Sequence, residues 1–278
     1  HLGEGNKREK FERNIAAITT LQTLERENRS ATKEEQEILS QYVGWGGLPD
    51  AFDETKDNWH GEYLQLKDLL TEDEYEMARA STLNAHYTSP TVIQAIYDAV
   101  EQMGFTTGNI LEPACGTGNF FGMLPDSMQG SNLYGVELDS ITGRIAKQLY
   151  PSANIAVTGF EKTDLPDSFF DLAIGNVPFG NYRLSEKRYD NQGFLIHDHF
   201  FAKALDKVRP GGVVAFISAK GTMDKQSPEV RRYLAQRAEL LGAVRLPSNA
   251  FLTNAGTEVT SDILFLQKFD EHFRNLTG

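Results

Sequence analysis

Ile110-Leu-Glu-Pro-Ala-Cys-Gly-Thr-Gly-Asn-Phe120 decides how this chain is read. A short apolar run ends in an acidic residue and a glycine-rich turn that opens a helix. Asn109 to Leu111 has the character of a buried parallel strand. Gly116 and Gly118 let the backbone approach a ligand without interference from a Cβ. A strand-to-helix turn of this kind, at the carboxyl edge of a parallel sheet, is where doubly wound folds bind nucleotides. A GxG also serves as a plain tight turn, so the assignment rests on its surroundings.

Outward from that turn, strands and helices alternate. Candidate strands are Asn109 to Leu111, Leu133 to Glu137, Ile155 to Val157, Asp171 to Gly175, Val213 to Ser218, Ala243 to Leu246 and Asp262 to Leu266, with helical stretches between most of them. This predicts a parallel sheet covered on both faces. Arg209-Pro-Gly-Gly212 reads as a tight turn before the fifth strand. Upstream, Ser89-Pro90 is an N-cap followed by proline at the first helical position. Lys7 to Asn28 places Phe11, Ile15, Ile18, Leu21 and Leu24 on one helical face. Thr32 to Glu35 and Thr71 to Glu74 are capping boxes that open two further helices, the first of them running to about Tyr42. Gly44-Trp-Gly-Gly47 breaks the first of these and reads as a turn around a packed Trp45, the alternative being a loop that presents Trp45 to a ligand. The expected division is a helical extension over 1–84 and an α/β domain over 85–278.

Composition narrows the function classes. With 278 residues, 40% of them hydrophobic, the chain is long enough for one large core plus an appendage. No apolar run reaches the roughly 18 to 20 residues of a membrane span, and no stretch reads as a signal peptide. The single cysteine, Cys115, excludes an internal disulfide framework and a multi-cysteine zinc site and fits a reducing cytoplasm. His197-Asp-His199 is not read as a metal site, because alternate residues at a helix start point different ways. The start at His1 is expected for a piece of a longer protein. A net charge of −12 opposes tight autonomous binding to a polyanion. Arg183, Lys187, Arg188, Lys220, Lys225, Arg231 and Arg232 are the basic residues that can gather on one face.

Two further motifs bear on chemistry. Tyr134-Gly-Val-Glu-Leu-Asp139 ends the second strand with Glu137 at the carboxyl edge, where a carboxylate accepts hydrogen bonds from both hydroxyls of a ribose. Its distance along the chain from the glycine turn is about twenty residues, as nucleotide binding requires. Gly175-Asn-Val-Pro-Phe-Gly180 ends the fourth strand. The Asn176 carboxamide oxygen and the Val177 carbonyl can accept both protons of a planar amine while Phe179 stacks on the ring that bears it. Taken alone, the motif is equally an Asn-Pro turn with a core phenylalanine.

With these motifs in this order, the stretch from Tyr87 to Leu266 resembles the S-adenosylmethionine-dependent DNA adenine-N6 methyltransferases, whose hallmark is an Asn/Asp-Pro-Pro-Tyr/Phe tetrapeptide. The resemblance implies a Rossmann-like methyltransferase fold, with a mainly parallel seven-stranded sheet and an antiparallel last strand. It implies a cofactor site of Tyr87, Thr88, Glu112, Pro113, Ala114, Cys115, Gly116, Thr117, Gly118, Asn119, Phe120, Glu137, Leu138, Phe160 and Asn176. Thr88 would touch the methionine carboxylate, Glu137 the ribose and Phe160 the adenine. It implies a catalytic motif of Asn176, Val177, Pro178 and Phe179. The segment from Asn181 to Gly193 reads either as a mobile lid, with Arg183, Lys187, Arg188 and the more distant Lys220 as contacts to nucleic acid, or equally as a disordered polar loop.

Two departures from the family pattern stand out. Gly159-Phe160 occupies the place of an acid-Phe pair whose acid meets the adenine amine of the cofactor, leaving Glu161 or Asp164 as replacements. Val177 replaces the first proline of the tetrapeptide, which adds an N–H and frees φ. Gln41 to Asp53 together with Leu83 to Pro90 also resembles the methylase portion of very large methylase-helicase proteins of bacterial conjugative elements and phages. That would make a helicase region the source of much of the DNA affinity. The expected activity is methyl transfer to adenine N6 in DNA. The alternatives are a protein glutamine or RNA adenine as acceptor, or a catalytically weak cofactor-binding module of a helicase protein.

Overall fold

The computed structural model describes residues 6–83, 88–219, 228–246 and 261–270. Strands β1 (Asn109–Glu112), β2 (Asn132–Glu137), β3 (Asn154–Val157), β4 (Phe170–Asn176), β5 (Val208–Ala219), β6 (Ala238–Leu246) and β7 (Ser261–Lys268) form one sheet in the order β3-β2-β1-β4-β5-β7-β6. The pairs among β1 to β5 are parallel, and β7 runs antiparallel between β5 and β6. Strand order reverses between β1 and β4, which opens a crevice beyond their carboxyl ends.

Alternation along each strand divides the core between the two faces of the sheet. Ile110, Leu172, Ile174, Val213, Ala215 and Phe265 face helix α5 (Pro90–Gln102), whereas Leu111, Ala173, Val214, Phe216 and Leu264 face helix α8 (Ile196–Lys207). The strands therefore read as continuous apolar runs, as parallel strands covered on both sides must. Arg209 to Gly212, expected as a turn ahead of the strand, lies inside β5. The register there shifts opposite Phe170 and Leu172. A Cβ at Gly212 would stand 2.9 Å from the Arg209 carbonyl oxygen and 3.1 Å from that of Asp171, so the bulge closes only around glycine.

The amino-terminal helices are α1 (Lys7–Glu27), α2 (Lys33–Ser40), α3 (His60–Leu69) and α4 (Glu72–Ala80). Both expected capping boxes are present, Thr32 with Glu35 and Thr71 with Glu74; α2 itself ends at Ser40, short of Tyr42. These helices build a core of their own, which is completed by Ile141 and Ile145 of α7 (Ser140–Leu149). Arg144 on the same helix pairs with Glu25 of α1 at 2.6 Å and with Glu74 of α4 at 2.7 Å. Helix α7 follows directly on β2, so the extension is fastened to the element that carries Glu137. No helix among the described residues is long and apolar enough to cross a membrane.

Candidate active site

The crevice at the strand reversal has a volume of about 690 Å³. The loop after β1 forms its floor. Cys115 N–H donates to the Val136 carbonyl at 2.9 Å and Gly118 N–H to that of Cys115 at 2.9 Å, which fixes the turn against β2. The two glycines do different work. Gly116 has φ +57°, and a Cβ there would meet nothing within 4 Å; Gly118 has φ +96°, and a Cβ there would lie 2.4 Å from the Tyr150 ring. Gly116 therefore leaves its side of the loop open, whereas Gly118 serves packing against Tyr150 and is not exposed to a ligand. The other loop residues from Glu112 to Phe120 border the crevice.

Three carboxyl groups converge on this floor. Glu137 accepts the Gly116 N–H at 3.1 Å, and burial, reinforced by Asp139, raises its pKa to about 7. Glu112 is 2% exposed. Burial and then the charge of Glu137 hold it well above the usual carboxylate range, and its Oε2 has no hydrogen-bond partner among the described residues. A buried carboxyl oxygen left without a donor is a site for a cation or N–H of a ligand. Asp139 caps α7 by accepting the Thr142 N–H at 2.9 Å. Burial also raises the Cys115 thiol well above its ordinary range, which removes it as a nucleophile.

At the end of β4, Asn176 Nδ2 donates to Thr88 Oγ1 at 3.1 Å. That bond orients the carboxamide and leaves Oδ1 for another donor. The N–H that Val177 has and proline lacks is not idle, since it donates to the Ile217 carbonyl of β5 at 3.1 Å. The substitution thus lengthens the β4–β5 pairing by one bond and fastens φ where the sequence suggested it would loosen. Val177 is buried, while Pro178 and Phe179 are half-buried at the crevice wall. Leu138 is 65% exposed at its rim.

Several expectations need correction. Phe160 borders the crevice, but it is 2% exposed, with its ring 4.9 Å from that of Phe200. It forms part of the crevice wall and packs against Phe200. The segment from Asn181 to Gly193 is anchored and is not a free lid. Glu186 pairs with Lys203 at 2.7 Å and with His199 at 2.9 Å, and Tyr189 donates its hydroxyl hydrogen to Asp206. Lys203 also donates to the carbonyls of Phe160 and Thr163 at 2.8 and 3.1 Å. Arg188 pairs with Asp167 and Asp206, whereas Arg183 and Lys187 are exposed and make no ion pair with another described residue. Tyr87 and Lys220 lie outside the described residues.

At the missing acid, the backbone of Gly159 is ordinary, with φ −70°. A Cβ there would stand 2.3 and 2.5 Å from the two carboxylate oxygens of Glu161. Glu161 thus folds back over Gly159 and borders the crevice, whereas Asp164 is exposed and does not. Sequence reasoning also missed Tyr42, Val43, Gly44, Trp45 and Ser81, which border the same crevice. The glycine cluster at Gly44 to Gly47 is the available signal, and its ligand-presenting reading points to this wall although Trp45 itself is packed. Trp45 is indeed packed, 2% exposed, with its ring 5.4 Å from Phe52.

The model of the N-6 DNA Methylase family matches residues 72–275, which includes the glycine loop, Glu137 and the Asn176 motif. The chain belongs to that family. Its methyl donor is S-adenosylmethionine, and the open Gly116 loop and the unpaired oxygen of Glu112 fit such a cofactor. Among family relatives, the Defense against restriction protein B of Escherichia phage P1 is 28% identical over 96% of this chain, which spans 10% of that protein. The rRNA N(6)-adenosine-methyltransferase metl-5 of Caenorhabditis elegans is 23% identical over 68% of this chain and 89% of its own length. In fold, the chain is similar to a Listeria monocytogenes protein assigned to the class I S-adenosylmethionine-dependent methyltransferases. The TM-score is 0.58 at 17% identity, covering 95% of this chain and 89% of that one.

Proposed function

We propose that this family member methylates the N6 amine of adenine in DNA. The observation that carries the reading is Asn176 at the end of β4, its donor spent on Thr88 and its Oδ1 left for another donor, bordering the crevice with Val177, Pro178 and Phe179 beside the glycine loop. Bound S-adenosylmethionine supplies an electrophilic methyl group on its sulfonium. The residues of the chain hold the acceptor. Asn176 and Val177 take the two N–H bonds of the amine, turning the nitrogen lone pair towards the methyl and stabilising the positive charge that grows there. Pro178 and Phe179 hold the base from its side, which offsets part of the few kcal/mol that extruding it from a duplex requires. Arg183 and Lys187, exposed in the segment that follows the Asn176 motif, contact the phosphate backbone. Glu112 receives the methionine ammonium, Thr88 the methionine carboxylate and Glu137 the ribose. Glu161 takes the adenine amine of the cofactor in place of a side chain at position 159.

With a net charge of −12 the chain itself is a poor binder of a polyanion, and most of the DNA affinity belongs, on this proposal, to a helicase-like region of a longer, cytoplasmic parent protein. The division into a helical extension and a methyltransferase domain near residue 84 belongs to the same proposal. A second reading, an adenine in RNA as acceptor, is favoured by the similarity to the rRNA methyltransferase. Incubation of the chain and of its longer parent with methyl-labelled cofactor and DNA, RNA or protein separates the readings. Label recovered as N6-methyladenine in DNA is expected. Label confined to RNA or protein would sink the DNA assignment.

The role given to Glu137 carries a pH dependence. With a pKa of about 7 in the free protein, its carboxyl is increasingly protonated below that pH and can no longer accept from both ribose hydroxyls. Cofactor affinity should therefore fall as pH drops through 7, approaching about tenfold per unit, with proton release on binding near neutrality. Calorimetric titrations with S-adenosylhomocysteine in buffers of different ionisation enthalpy measure both. An affinity that is flat from pH 8 to 6 would remove Glu137 from the ribose site.

A further inference from the structure

The family model begins at residue 72, yet the crevice has a wall that comes from before it. Tyr42, Val43, Gly44 and Trp45 line the crevice together with Glu137, Leu138 and Asp139. Tyr42 fixes which end they serve. Its hydroxyl faces Thr142 and the charges of Asp139 and Glu137, and burial with those charges holds it above the ordinary tyrosine range. The loop therefore stands over the carboxyl end of β2, opposite the glycine loop.

How the loop is held shows what it can offer. Asn14, fully buried on the inner face of α1, interrupts an otherwise apolar row of Phe11, Ala17, Ile18 and Leu21. Its carboxamide donates to the Gly44 carbonyl at 2.5 Å and accepts the Val43 N–H at 3.0 Å. One side chain thus satisfies two backbone groups of the loop and fixes its position against α1. Gly44 has φ +76°, and a Cβ there would meet nothing within 4 Å, so this side of the loop faces open space. Val43 is half-buried beside it. With the Val43 N–H and the Gly44 carbonyl turned inward to Asn14, the loop presents the Val43 side chain and the open side of Gly44 to the crevice.

We propose that the loop from Tyr42 to Trp45, positioned by Asn14, is a cofactor-binding element that covers the ribose and adenine half of S-adenosylmethionine. The amino-terminal helices then belong to the cofactor site. Cofactor binding and the packing of these helices on α7 are linked, because the same helix carries Thr142 at the crevice and Ile145 in the amino-terminal core.

Calorimetric titration with S-adenosylhomocysteine tests this on the unaltered chain, on Val43→Asp and on Asn14→Ala. Val43 is half-exposed, so Val43→Asp should retain helix content and melting temperature while its affinity falls at least about tenfold, as burial of an uncompensated charge against the cofactor implies. Asn14→Ala should weaken binding to a similar degree. Because Asn14→Ala risks misfolding, hydrogen exchange on the unaltered chain supplies a second measurement. The ligand should slow exchange at the amides of residues 42–47 together with those of residues 115–119. Protection confined to 115–119, or unaltered affinity in Val43→Asp, overturns the inference alone. Failure of the unaltered chain to bind S-adenosylhomocysteine overturns it together with the cofactor assignment.

Discussion

Asn176→Ala is expected to lower kcat for methyl transfer by about 10²- to 10³-fold, the range found when one preorganised hydrogen-bonding group is removed from a developing charge. Binding of S-adenosylhomocysteine should change far less. The asymmetry follows from the geometry, since Asn176 spends its donor on Thr88 at 3.1 Å and has only its acceptor to offer the reacting amine. Asn176→Asp gives a second reading of the same site. It keeps an acceptor, so it should retain more activity than the alanine variant, but it sets a negative charge beside Thr88, the residue assigned to the methionine carboxylate, and so should bind cofactor less well. Single-turnover assays with saturating cofactor separate these effects. An Asn176→Ala enzyme within tenfold of the parent would mean that the β4 end does not hold the acceptor amine.

The second large effect concerns the cofactor adenine. Glu161→Ala should weaken S-adenosylhomocysteine binding by about one to two orders of magnitude, the worth of roughly 1.5 to 3 kcal/mol assigned to a hydrogen bond with a charged partner. The informative variant is the double one. In Glu161→Ala, the space beyond Gly159 is vacated, and the φ of −70° at Gly159 accepts any side chain. Adding Gly159→Asp returns a carboxylate to that space and should recover most of the affinity. Gly159→Asp with Glu161 still present sets the new Cβ 2.3 Å from a Glu161 oxygen. It must displace that side chain and places two negative charges together, so this single variant should bind worse than the double one. Equal affinities for the single and double variants would show that the two positions do not share one site.

The first experiment addresses a residue whose place was legible in the sequence. Glu137 and Asn176 stand at strand ends, and strand ends are marked locally by apolar runs that give way to polar or glycine-rich residues. The sheet was legible for the same reason, as was the start of α5 at Ser89-Pro90. What escaped was set by contacts between residues far apart in the chain. Gly118 looked like a ligand-facing glycine because nothing near it in sequence reveals the Tyr150 ring that lies against it. Val177 looked like a defect because its partner, the Ile217 carbonyl, belongs to the neighbouring strand. Arg188 looked unpaired because Asp167 and Asp206 flank it only after α8 has packed. The crevice wall from Tyr42 to Trp45 depends on α7 meeting the amino-terminal helices, an encounter that no local pattern encodes.

Lys203 limits how this enzyme can diverge. Its buried ammonium joins the Phe160 and Thr163 carbonyls, on the cofactor side of the crevice, to Glu186 in the segment that follows the Asn176 motif. A lineage that exchanged this segment for one suited to another acceptor would have to bring a carboxylate to the same point. Without it the ammonium would be stranded, at a cost of about 3 to 5 kcal/mol, a large share of the stability of an ordinary domain. New acceptor specificity is therefore more accessible through Tyr182 and Arg183, which lie before the anchor, than through replacement of the whole segment.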